Sequence, residues 1–324
     1  MGPRRSSTPH PPQPRQPALI EAWDRRLERW NPLVIILLAL GGGALGVGLL
    51  LLGARSDPRS SQFIATSGFL VWAAVIAVQV AVWAVVALPL WSEVVDIVQH
   101  DRVRRTVWAI PGVVGLALVL LAVLSPAADF GWPLVGHSPK VWVLTAMAAV
   151  GVGLPALFGI GCVQDIVRRA VPTVDDTDAV RLALVSRHRV RRFLGSAGAV
   201  IGLAVLASGS LRLATVPTYV SAADFPAVSV LLYGAFFTAL LVIVYVPAHL
   251  SLQRLCAEIR EASFPLDAMP SPTSPELEVW LGGRKRVDAL TEANLTIGSQ
   301  LQAAVFILAP LASAVVTTLL PKTG

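Results

Sequence analysis

From Pro32 to Ala54 the chain runs PLVIILLALGGGALGVGLLLLGA without a single charged side chain. A stretch of that length is close to the roughly 20 apolar residues that carry an α-helix across a hydrocarbon layer about 30 Å thick. Six more such runs follow, at about 63–91, 107–126, 141–163, 194–216, 225–250 and 301–320. None of the seven contains Asp, Glu or Lys. Their one arginine is Arg212, about a turn from the end of the fifth. The last run is shorter and carries Pro310 with several small and hydroxyl residues, so a re-entrant or tilted helix is the alternative to a seventh crossing.

Composition agrees with these runs. Hydrophobic residues make up 55% of the 324 and charged residues 14%, too few to cover the surface of a soluble chain, where about a quarter is usual. The expected fold class is an all-α integral membrane protein, a polytopic helical bundle of six spans plus a seventh.

The distribution of Lys and Arg orients the bundle. Of the 26, 21 fall in the N-terminal tail and the second-to-third, fourth-to-fifth and sixth-to-seventh connections, and five in the alternate set. By the positive-inside rule the N-terminus is cytoplasmic, and the C-terminus lies outside the cell membrane if the seventh helix spans. The net charge of +6 comes almost wholly from arginine, Lys140, Lys285 and Lys322 being the only lysines. On loops facing a cytoplasmic leaflet such charge is ordinary. It implies anionic lipid as a partner and not nucleic acid.

Residues 1–17, MGPRRSSTPHPPQPRQP, have nothing to bury and read as a disordered tail. In 18–31, Leu19, Trp23, Leu27 and Trp30 share one helical face, opposite Arg25, Arg26 and Arg29. That pattern suits a helix lying in the membrane interface, its arginines against anionic headgroups. A partner-binding helix would use the same face. Two helical connections, 165–193 and 251–300, are expected in the cytoplasm. In the first, Asp175, Asp176 and Asp178 suit a helix N-terminus. Arg187, Arg189, Arg191 and Arg192 are further candidates for contact with anionic lipid. In the second, Leu252, Leu255, Cys256 and Ile259 form a stripe, a proline-rich linker follows, and Val287, Leu290, Asn294, Ile297 and Leu301 make another.

The spans carry little that resembles a reaction centre. They carry almost none of the ionisable residues that usually flag function inside a bilayer, and no acidic one,. The chain shows no G-x-S-x-G, H-E-x-x-H or phosphate-binding G-x-x-x-x-G-K-[ST],. Its five histidines, His10, His100, His137, His188 and His249, are scattered over both sides of the membrane, so they do not form one metal site. Cys162 and Cys256 lie at or beyond cytoplasmic span ends, where thiols stay reduced. Glu93, Asp96 and Asp101 with Arg102, Arg104 and Arg105 read as a solvated charged face. No catalytic, cofactor-binding or metal-ligating residue is therefore expected, and no cofactor.

Packing residues are easier to find. Gly42 and Gly46 in the first span, and Gly198 and Gly202 in the fifth, make G-x-x-x-G pairs that let helix backbones approach closely. Pro155 and Pro310 have enough helix on both sides to act as kinks. Gln79, the one polar residue in VIAVQVAVWAVV, should face the bundle, since lipid would leave its amide unsatisfied. It reads as packing between helices.

The functional expectation is a non-enzymatic membrane component: a subunit, scaffold or regulator meeting a protein partner or a second copy of itself through its cytoplasmic helices. The rival is a transporter or channel for a neutral or lipid-like substrate, lined by Gln79, the proline kinks, Thr317 and Thr318. A third reading is an enzyme acting on lipid at the inner interface, with Arg191 and Arg192 holding the headgroup phosphate.

Overall fold

The computed structural model describes residues 31–100, 103–112, 115–116, 131–174, 176–216, 218–291 and 297–319. The 1–17 tail, all but Asn31 of the 18–31 segment, including Arg25, Arg26 and Arg29, most of the third run and Asn294 lie outside these residues, and so do the side chains of Thr317 and Thr318.

The described residues form helices and no strand. In chain order they are α1 (Pro32–Leu51), α2 (Pro58–Ile64), α3 (Ser67–His100), α4 (His137–Ala148), α5 (Leu154–Arg169), α6 (Thr177–Thr215), α7 (Ala227–Ser263), α8 (Glu276–Leu290) and α9 (Ile297–Leu319). A 3-10 turn spans Arg105–Trp108, and a π-helical turn, Ala149–Gly153, joins α4 to α5. Five segments are long and apolar enough to cross a membrane: Pro32–Leu51, Ser67–Gln99, His137–Arg169, Thr177–Thr215 and Ala227–Ala268. The apolar part of α9, Ala304–Val316, is shorter.

Several helices outrun their apolar cores. α6 has 39 residues, a length of about 58 Å at 1.5 Å per residue, roughly twice the hydrocarbon thickness. Its first turns, read from the sequence as a separate connection, continue into the span without a break. Asp176 caps its start, accepting from the Ala179 N–H at 2.8 Å. That bond holds the Asp176 carboxyl below the usual range. Likewise α3 runs on to His100 and α7 to Ser263. Their charged extensions gather at one end of the bundle.

α6 is the central pillar, packed against α3, α5, α7 and α9, while α1 lies outside against α3. Only Gly42, Gly46 and Leu50 of α1 are buried; Leu37, Leu40 and Leu45 are exposed. An isolated apolar helix with that much open surface suits hydrocarbon surroundings and not water.

Two prolines free carbonyl groups that other helices then occupy. At the π-helical turn the Leu154 N–H bonds to Ala149 O, and the next nitrogen, that of Pro155, has no hydrogen to offer Val150. The Val150 carbonyl instead accepts from Trp91 Nε1 on α3, at 3.0 Å. In α9, Pro310 cannot donate to Phe306, four residues back. The Phe306 carbonyl is pressed onto Gly198 of α6, where an added Cβ would lie 2.5 Å from it. Such contact suits a weak Cα–H···O interaction. On its other flank, Pro310 O meets Gly234 of α7, 2.8 Å from where a Cβ would stand.

At the end opposite the charged extensions, Lys140 Nζ donates to Leu50 O and Leu52 O at 2.9 and 2.6 Å. It thus satisfies carbonyls that the C-terminus of α1 leaves without partners. Trp132 stacks on His137 with ring centres 4.1 Å apart, and Phe63, Phe69, Trp72 and Tyr219 pack edge to face beside them.

Candidate functional site

Glu93 is the feature that the charge pattern alone misplaces. Beyond residue 91 the sequence turns polar, which reads as a solvated face. Because α3 instead continues, Glu93 falls on the face that carries Leu90, Val94 and Ile97, all buried. Its side chain is 1% exposed. The spacing 90, 93, 94, 97 was the available signal, one helical stripe with a carboxylate inside it.

Two arginines of α6 face this carboxylate. Arg192 Nη1 lies 3.4 Å from Glu93 Oε2, and Arg189 Nε lies 3.7 Å from Oε1. Both distances exceed those of a well-formed charge-assisted hydrogen bond, and neither Glu93 oxygen has a hydrogen-bond partner. The pairing is therefore Coulombic, in a poorly hydrated setting where such attraction is stronger than in water. A carboxylate enclosed in this way has no open side for a substrate. It ties α3 to α6 at the charged end.

The neighbouring helices are tied in the same region. Arg187 is buried, and its Nη2 lies 3.9 Å from Cys256 Sγ on α7; that thiol in turn lies 3.8 Å from Thr291 O. Both cysteines are free and buried. Leu252, Leu255, Cys256 and Ile259 are all buried. Tyr245 and His249 stack on the same helix, Tyr245 Oη 3.4 Å from His249 Nδ1.

α8 is fastened to the end of α7. Arg260 pairs with Asp288 at 3.3 Å. Arg284 bonds to Glu261, donates to Phe264 O at 2.6 Å and lies over the Trp280 ring. Yet no residue of α8 is buried. Val279 is 77% exposed, and Leu281 and Leu290 are open as well.

Other residues singled out in the sequence occupy distinct places. A Cβ on Gly42 would stand 2.8 Å from Val80 O, and one on Gly46 2.9 Å from Val80 Cγ2, so both lie against α3. Gly202 has ordinary spacing to Ala309, at 3.5 Å. Gln79 is buried, and its Oε1 has no hydrogen-bond partner within the protein, as is true of Trp83 Nε1 and Thr238 Oγ1. Arg212 donates to Phe225 O at 2.9 Å. No cluster of three or more potential metal ligands exists among the described residues.

Compared with known protein families, curated proteins and solved structures, the chain matches none.

Proposed function

We propose that this chain is a multi-pass protein of the cell membrane, its N-terminus and charged end in the cytoplasm. It acts without catalysis, as a subunit, scaffold or regulator, through the helices of that end. Six spans and a seventh belong to this reading, as does contact of the basic segments with anionic lipid. The orientation rests on the Lys and Arg distribution.

The observation that carries the reading is α8. It is fixed to α7 by Arg284 and by the Arg260–Asp288 pair, while Val279, Leu281 and Leu290 remain uncovered. A helix held in place with open apolar side chains beside charged groups has the make-up of an interaction surface. The unbroken α3, α6 and α7 supply a rigid link from that surface to the spans.

Native mass spectrometry of the protein, gently solubilised from its own membrane, tests this directly. A reproducible partner or a defined oligomer, weakened by Val279→Asp with Leu281→Asp, is the expected result. A lone chain would contradict it.

A second reading, passage of a neutral or lipid-like substrate, is favoured by the unpartnered Gln79 Oε1, Trp83 Nε1 and Thr238 Oγ1 in the interior. Labelling of Gln79→Cys by an aqueous thiol reagent would support it; protection of that thiol would count against it.

A further inference from the structure

Apart from Glu93, the charged end contains a cleft of about 310 Å³. Four arginines line it: Arg104 beside the 3-10 turn, Arg168 and Arg169 in the last turn of α5, and Arg254 of α7. One carboxylate, Asp165, lines it with them.

Asp165 is occupied in holding the cleft together. Its Oδ2 accepts from Arg169 Nη2 at 2.8 Å and from the Arg104 backbone N–H at 2.9 Å. Arg254 Nε meets Glu258 Oε1 at 2.6 Å. Arg168 makes no ion pair among the described residues, and its side chain is exposed. Among the described residues, the four guanidinium groups thus meet two carboxylates, Asp165 in the lining and Glu258 beside Arg254, an excess of two positive charges.

Arginine presents planar, forked donors that match phosphate oxygens in pairs. Val107 and Ile110 form an apolar wall beside them, suited to the carbon-bearing part of a phosphate ester. Gln164 adds an amide to the lining.

We propose that this cleft binds a phosphomonoester anion, with Arg168 and Arg254 as its principal contacts. Arg104 and Arg169 shape the site through Asp165. The proposal is independent of a protein partner at α8. The phosphate group has two sources, the headgroup of a membrane lipid such as phosphatidic acid, or a phosphate free in solution.

The test uses the full chain in three forms: wild type, Arg168→Gln with Arg254→Gln, and a control, Lys285→Gln with Arg286→Gln, which removes equal charge from exposed positions on α8. Inorganic phosphate is titrated by calorimetry, and phosphatidic acid against phosphatidylcholine is read by native mass spectrometry. Arg168→Gln alone repeats each measurement in case the double variant folds poorly.

The expected result is binding to wild type and control alike, with about tenfold or greater weakening in the cleft variant, as when charge-assisted hydrogen bonds are removed. Weakening with both probes identifies the phosphate group itself as sufficient. Weakening with phosphatidic acid alone identifies the lipid source. The proposal is overturned if neither probe binds wild type, if the cleft variant binds as tightly, or if the control loses as much.

Discussion

The Glu93 carboxylate of α3 lies 3.4 Å from the Arg192 guanidinium of α6, with Arg189 on its other oxygen at 3.7 Å. A buried charge beside partners it does not fully bond contributes little net stability, but removing one member leaves the rest uncompensated. Glu93→Gln should therefore lower stability in mixed micelles by about 1–3 kcal/mol. Arg192→Gln in that background should cost less than in wild type, by more than about 0.5 kcal/mol, the signature of coupled residues. Strict additivity would show that the two do not interact.

Trp91 and Pro155 should be coupled through a carbonyl. The indole N–H occupies Val150 O, which Pro155 leaves without a backbone donor. Trp91→Phe should destabilise by about 0.5–1.5 kcal/mol, the usual net value of one hydrogen bond. With Pro155→Ala, which restores an N–H to the turn, the same change should cost less. Equal cost in both backgrounds, measured by unfolding in micelles, would contradict the link.

Within one G-x-x-x-G pair the two glycines should differ. A methyl on Gly198 would stand 2.5 Å from the backbone carbonyl of Phe306, whereas on Gly202 it would meet Ala309 at 3.5 Å. Gly198→Ala is expected to displace α9 and lower the melting temperature sharply, since backbone cannot move aside as a flexible side chain can. Gly202→Ala should be neutral or slightly stabilising, because alanine is the better helix former. Similar melting temperatures for the two variants would rule out the close approach.

Gln79→Leu should fold and insert normally. The Gln79 Oε1 is buried without a partner, so a leucine of similar size removes a desolvated polar atom and no hydrogen bond through that oxygen. Size-exclusion chromatography and melting in detergent check this; gross loss of folded protein is the contrary outcome.

Much of the architecture was legible because a membrane imposes a length. Runs such as 32–54 and 63–91 announce helices by lacking charge over about 20 residues,. The same criterion hides where helices end. In α6, Ser186 and Arg187 lie on the buried face with Ala179, Ala183 and Val190, so a hydropathy reading stops near 193 while the helix begins at Thr177. The stripe at 90, 93, 94 and 97 could have shown that Glu93 is buried, but its pairing was illegible: its partners stand roughly 100 residues away in sequence, and charges at a span end resemble surface. The arginine cleft combines 104, 165–169 and 254, positions that no local pattern unites. Glycine spacing marked small faces, but not that Gly198 meets a carbonyl freed by Pro310, which depends on which helix is the neighbour.

The α8 surface can serve a cytoplasmic partner only if the charged end faces the cytoplasm. Single cysteines at Thr273, in the exposed linker before α8, and at Ala222, in the exposed turn at the opposite end, test this most directly. Cys162 and Cys256 are buried and should stay silent. With a membrane-impermeant maleimide on intact cells, Ala222→Cys should label at once and Thr273→Cys only after permeabilisation. The reverse pattern, or labelling of both in intact cells, would contradict the proposed arrangement.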